Sequence, residues 1–122
     1  MSESNKIVIV NTRGLDDERS SVAWSIANTA SASGMEVTMF LVSAGVDWAR
    51  KGAADAAQLN PLDPKMSEMI GNVVEAGGQI LVCPPCAKVR GYTEDSLIDG
   101  AVLAGAPALL EKIVAGAETV SF

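Results

Sequence analysis

Three short runs, KIVIVN at 6–11, MEVTMFLV at 35–42 and QILVC at 79–83, are apolar at consecutive rather than alternate positions. A strand with one wet face alternates, whereas a strand covered on both faces does not. The first two runs are joined by a segment in which Leu15, Val22, Ala23, Ile26, Ala27 and Ala30 recur at helical spacing. Asp16, Asp17 and Glu18 fall where a first helical turn favours negative charge, and Gly34 can close the helix in the left-handed conformation. A strand, a helix and a second buried strand make a parallel crossover unit. Further on, Asp63 followed by Pro64 reads as a helix N-cap with proline at the first helical position. The apolar stripe Met66, Met69, Ile70, Val73 and Val74 then reads as core, ending at Gly77-Gly78 before the third run.

The rest of the chain is weaker in pattern. Residues 43–62 are irregular, with a helical turn or two expected over Val46 to Lys51. Glu94 to Ala104 reads as a short helical turn and then an extended piece, Pro107 to Ala115 as a helix, and Glu118 to Phe122 as a last strand. No repeat, linker or low-complexity tract interrupts this order. A single α/β domain over 1–122 with a mostly parallel sheet of about five strands is the expected architecture.

Composition narrows the chemistry. The chain has 122 residues, two cysteines, no histidine and a net charge of −6. Without histidine, Ser-His-Asp and Cys-His mechanisms are excluded, and two cysteines do not fill a four-ligand zinc site within one chain. The acidic balance, with no basic cluster, argues against nucleic acid or an anionic membrane as partner. No apolar run is long enough to span a bilayer, and MSESNK lacks the basic-then-apolar order of a secretory signal, so a cytoplasmic protein is expected. Mean hydropathy is +0.25, high for a small domain, and surplus apolar surface commonly marks an interface. A homo-oligomer is therefore expected.

The two cysteines lie in one stretch, LVCPPCAKVRGY at 81–92. Cys83 ends the third buried run, and in open parallel sheets ligands gather beyond the carboxyl ends of the strands. A residue before proline is pushed out of the helical region, so Cys83 and Pro84 are expected to be extended and Pro85 to open a helix, with Cys86 in its first turn. The positive end of that helix, with Lys88 and Arg90 nearby, would favour the thiolate, and Cys86 and Arg90 are spaced to share a helix face. A lone cysteine at a strand end is commonly just a small buried hydrophobe. Two at this spacing, flanked by basic residues, point to a functional thiol. Thioredoxin chemistry uses the same spacing, but there the motif follows the first strand and a tryptophan. Arg13, Trp48 and Tyr92 are pocket candidates, although a single tryptophan in an irregular segment is as often a core plug or interface anchor. Arg13-Gly14 lacks the glycine pattern of a phosphate loop.

Across nearly its full length the chain resembles the DsrE/DsrF-like (YchN-like) family of small sulfur-handling proteins. The resemblance rests on KIVIVNTRG, GVDWARKGAAD, EAGGQILVC, RGYTEDSLIDG, AGAPALLEKI and TVSF, in that order. It implies a three-layer α/β/α fold of flavodoxin-like type, assembled as a trimer or as a hexamer of two trimers. In the sulfur-relay members a single cysteine after this strand carries sulfur as a persulfide, upstream of an Arg-Gly pair. Cys83 stands seven positions before Arg90-Gly91 and takes that role by resemblance. A persulfide carrier or sulfurtransferase-like protein is then expected, with no cofactor and no bound metal, and with protein or low-molecular-weight thiols as sulfur donor and acceptor. Cys86 and the two prolines depart from the family pattern. The second thiol could resolve a persulfide as a disulfide, share a soft metal across an oligomer interface, or cycle with Cys83 as a redox pair. A small-ligand-binding or regulatory module with a structural CPPC corner is the alternative.

Overall fold

The computed structural model describes residues 5–122; residues 1–4, on which part of the reading of the N-terminus rests, lie outside them. The chain runs β1 (Lys6–Asn11), α1 (Arg19–Ala32), β2 (Glu36–Leu41), a 3-10 helix (Ser43–Ala49), α2 (Met66–Glu75), β3 (Gln79–Val82), α3 (Pro84–Val89), a second 3-10 turn (Glu94–Ser96), β4 (Ala101–Leu103), α4 (Ala106–Val114) and β5 (Glu118–Ser121). The five strands form one sheet in the order β4-β3-β2-β1-β5, and every pairing is parallel. This is the α/β architecture expected from the unbroken apolar runs.

Residue parity along the strands divides the core in two. Ile9, Met39, Leu41, Ile80 and Val82 face the layer of α1 and α2, where Trp24, Ala27, Met66, Met69 and Val73 complete the larger cluster. Val8, Phe40 and Leu81 face the other way and are covered by Ala108 and Leu109 of α4. Chain connectivity explains the imbalance. The first crossovers keep to one face, while α4 alone carries the chain from the β4 edge across the other face to the β5 edge. That face stays partly bare: Val102, Leu110, Ile113 and Val114 remain exposed, Val114 by 87%.

Three sequence expectations need correction. Helix α1 begins at Arg19, so Asp16, Asp17 and Glu18 precede it rather than filling its first turn. The Asp17 carboxylate accepts the Arg19 backbone N–H at 2.9 Å and its guanidinium at 2.7 and 3.0 Å, offering that amide a partner outside the helix. The guanidinium holds the Asp17 carboxyl down to about 2. Asp63 does not cap α2, whose N-cap is Lys65, because the Ser21 hydroxyl donates to the Asp63 carboxylate and ties it to α1 instead. Finally, α3 opens at Pro84 rather than Pro85. Proline at the first helical position forfeits no hydrogen bond, and the Ala87 N–H donates to the Cys83 carbonyl at 3.0 Å. The buried Ala87 fixes that turn against the core, outweighing the bias against helix before a proline.

Candidate functional site: a dithiol at the carboxyl edge of the sheet

Cys83 leaves the sheet directly after β3, and its N–H donates to the Leu41 carbonyl at 2.9 Å, extending the ladder by one step. It is the N-cap of α3, and Cys86 is the third helical residue. Both thiols are free, partly exposed and packed against the edge of the larger core cluster. Because Pro84 and Pro85 have no N–H, the amide of Cys86 is the first that α3 possesses. The Cys83 sulfur lies beside that amide and beside the Cys86 thiol, close enough for both to act on it, although no N-cap hydrogen bond is formed.

Burial pushes the Cys83 thiol up, and the neighbouring Cys86 thiol adds to the rise, while the Cys86 amide works the other way. The expectation of a lowered pKa therefore fails at Cys83, where desolvation outweighs the pull of the Cys86 amide. Arg90 explains part of this. Its Nη1 donates to the Cys86 carbonyl at 3.1 Å, and its Nε lies 3.7 Å from Asp47 Oδ1. The four-residue spacing thus returns the guanidinium to the backbone of Cys86, not to its sulfur. Lys88 lies exposed on α3.

The segment after β2 forms the opposite wall. Ser43 has φ 56°, the one positive value outside glycine among the described residues, and its N–H donates to Cys86 Sγ at 3.2 Å. Gly45 packs so closely on the end of β1 that a Cβ there would run into the Asn11 carbonyl. Asp47 accepts the Tyr92 hydroxyl at 2.6 Å, and burial with that contact pushes the Tyr92 phenol up. Trp48 is fully buried, and its Nε1 donates to the Arg13 carbonyl at 3.0 Å and to Ser20 Oγ at 2.9 Å. Tyr92 and Arg90 are thus gathered with the thiol segment through Asp47.

Trp48 also lines a cavity of about 360 Å³, together with Arg50, Asp55, Ile70, Val74 and Asp99. Neither Arg13, Tyr92 nor any residue of the thiol segment lines this cavity. Arg13 instead approaches Asp17 at 3.9 Å, with its Nε buried and unpartnered. Ser43, Asp47 and Ser20 are the neighbours that sequence reasoning missed. Only the glycine at 45, which permits close approach to β1, hinted that this segment folds back over the strand ends.

The chain spans 98% of its own length and 99% of the crystal structure of the ychN protein from E. coli when superposed, with a TM-score of 0.79 at 17% identity, so the two share a fold. An uncharacterized protein of Methanocaldococcus jannaschii, MJ0989, is 39% identical over 98 residues, which are 80% of this chain and 81% of that protein. An uncharacterized protein of Methanopyrus kandleri, MK0008, is 34% identical over 98 residues, covering 80% of this chain and 76% of that one. The DsrE/DsrF-like family pattern matches residues 5–122, and the chain belongs to that family.

Proposed function

We propose that the protein is a cytoplasmic sulfur carrier of the sulfur-relay type, a sulfurtransferase-like persulfide carrier with Cys83 as the sulfur-bearing thiol. The observation that carries this reading is the place of Cys83: a partly exposed thiol at the carboxyl end of an inner parallel strand, in a DsrE/DsrF-like chain. In the reaction, Cys83 loses its proton and attacks the outer sulfur of a donor persulfide, forming a Cys83 persulfide and releasing the donor thiol. An acceptor thiolate then attacks that outer sulfur and leaves Cys83 reduced. Lys88 supplies positive charge within the same helix for the anionic perthiolate, whereas Arg90 acts on the site by fixing α3 to Asp47. Donor and acceptor are proteins or low-molecular-weight thiols. The half-covered α4 face, with Leu110, Ile113 and Val114 exposed, supports assembly as a homo-oligomer, a trimer or a hexamer of two trimers.

Intact-mass analysis after exposure to a small persulfide tests the role of Cys83. Wild type should gain one sulfur atom or the products of its discharge, and Cys83→Ser should gain neither. Equal gain on Cys83→Ser overturns the assignment.

The cavity beside Trp48 favours a second reading, a small-ligand-binding module whose CPPC corner is structural. Its apolar floor and acidic rim of Asp55, Glu75 and Asp99 around Arg50 suit a small apolar molecule bearing an amine. Under this reading a Cys83→Ser/Cys86→Ser double variant keeps its function, and a ligand quenches Trp48 equally in both proteins.

A further inference from the structure

We infer that Cys86 is a resolving thiol, which discharges the Cys83 persulfide as hydrogen sulfide by closing a Cys83–Cys86 disulfide. This rests on the assignment of Cys83 as the sulfur-bearing thiol and adds a second, reductive outcome to it. A carrier that only relays sulfur needs one thiol; the geometry of α3 supplies two in a fixed relation.

The relation is that of helix N-cap to third helical residue. This is the pair of positions whose side chains face each other in a capping box. Residues three apart on a helix have Cα atoms roughly 5 Å apart, inside the window of about 4.4–6.8 Å that a disulfide requires. The two intervening residues are both prolines, with φ fixed by their rings, which limits how far the turn can open. In the reduced protein both thiols are free, and closing that turn brings the Cys86 thiol onto Cys83 Sγ. That atom is the inner sulfur of a Cys83 persulfide, the one whose attack expels sulfide; the outer sulfur extends beyond it.

Ser43 adds the second element. Its N–H points at Cys86 Sγ from 3.2 Å, held there by a left-handed backbone conformation that is unfavourable outside glycine. An amide donor on a sulfur favours the charge that sulfur carries as it attacks. The step balances without an outside oxidant. The Cys86 thiol and the Cys83 perthiolate give the Cys83–Cys86 disulfide and HS⁻, the Cys86 proton leaving with the sulfide. The outer sulfur is reduced by two electrons as the two cysteine sulfurs become the disulfide. A low-molecular-weight thiol then reduces the disulfide and resets the pair.

The test uses glutathione persulfide under anaerobic conditions, followed by desalting, intact mass, free-thiol count and sulfide assay. Wild type should lose both thiols, become two hydrogens lighter and release sulfide in stoichiometric amount. Cys86→Ser should retain one added sulfur atom on Cys83 and release no sulfide. Wild type that keeps the added sulfur with Cys86 still open to alkylation overturns this inference while leaving the carrier reading intact. A glutathione adduct on Cys86→Ser in place of the added sulfur overturns it as well, because the disulfide would then arise from glutathione displacement. If neither protein gains sulfur or releases sulfide, the carrier reading itself fails.

Discussion

The backbone N–H of Ser43 donates to Cys86 Sγ across 3.2 Å, and it does so from a φ of 56°. The contact joins the end of β2 to the first turn of α3, so the backbone of one crossover holds a side chain of the next. A branched side chain at such a φ is a true outlier, whereas glycine adopts it freely. Ser43→Val should therefore lower stability by about 1–2 kcal/mol and slow alkylation of Cys86 relative to Cys83, as the amide is drawn off the sulfur. Ser43→Gly should preserve the relative rates. Thermal melts and peptide-resolved iodoacetamide labelling read both effects. Unchanged labelling in Ser43→Val would show that the amide has no hold on the thiol.

Cys83 carries a pH signature of its own. Burial raises its pKa, so folding favours the protonated thiol. The stabilisation is complete below the thiol's unfolded value, near ~8.5, and is lost as pH rises through the higher folded value. Wild type should thus lose stability relative to Cys83→Ser above that pH. Alkylation of Cys83 in a Cys86→Ser background should have its midpoint above that of a free thiol, since desolvation is the larger cause. A midpoint below it would restore the activated thiolate that the basic neighbours suggested.

The sheet was legible because its signal is local. Lys6–Asn11 has no polar residue between its ends, and the strand occupies those same residues. Met66 and Met69 were legible as core for the same reason, since a helical stripe must face something apolar. What failed were the helix starts, where competing side-chain partners decide. Asp17 and Asp63 both look like first-turn or capping residues, yet one is taken by Arg19 and the other by Ser21, which lies 42 positions away. The thiols themselves were legible from spacing, but their electrostatics were not. The sequence places Lys88 and Arg90 nearby; only the fold reveals that Asp47 engages Arg90 and that burial governs Cys83. Ser43 gives no sequence signal, because serine is not a residue type that marks a left-handed backbone position and its partner Cys86 lies 43 positions away.

Gly45 offers a stability test of that packing. A Cβ there meets the Asn11 carbonyl, the same oxygen that accepts the Val42 N–H at 3.2 Å. Backbone cannot swing aside as a side chain can, so Gly45→Ala should cost about 1–3 kcal/mol, the range for overpacking. It should also displace the Ser43–Ala49 segment and with it the Ser43 amide, slowing alkylation of Cys86 relative to Cys83 as Ser43→Val does. Gly71, by contrast, has nothing within 4 Å of its would-be Cβ and lies in the helix α2. Gly71→Ala should therefore stabilise by about 0.5–1 kcal/mol, and urea titrations of the two variants should move in opposite directions.

The exposed side of α4 carries the last prediction. Leu110 is 58% and Val114 87% exposed, on a helix whose other side already covers Val8, Phe40 and Leu81. Four residues apart, they share one helix face. If that face is buried between copies, charge at its centre will be expelled by the desolvation cost of an unpaired carboxylate. Leu110→Glu/Val114→Glu should sediment as a monomer under conditions where wild type sediments as a trimer or hexamer. Because neither side chain is buried within the chain, the far-ultraviolet circular dichroism of the variant should match wild type. Reaction with glutathione persulfide separates assembly from chemistry, since both thiols sit within one chain and the variant monomer should still release sulfide and lose both thiols as wild type does. Wild type that sediments only as a monomer at micromolar concentration would remove the oligomer and leave the α4 face as ordinary exposed surface.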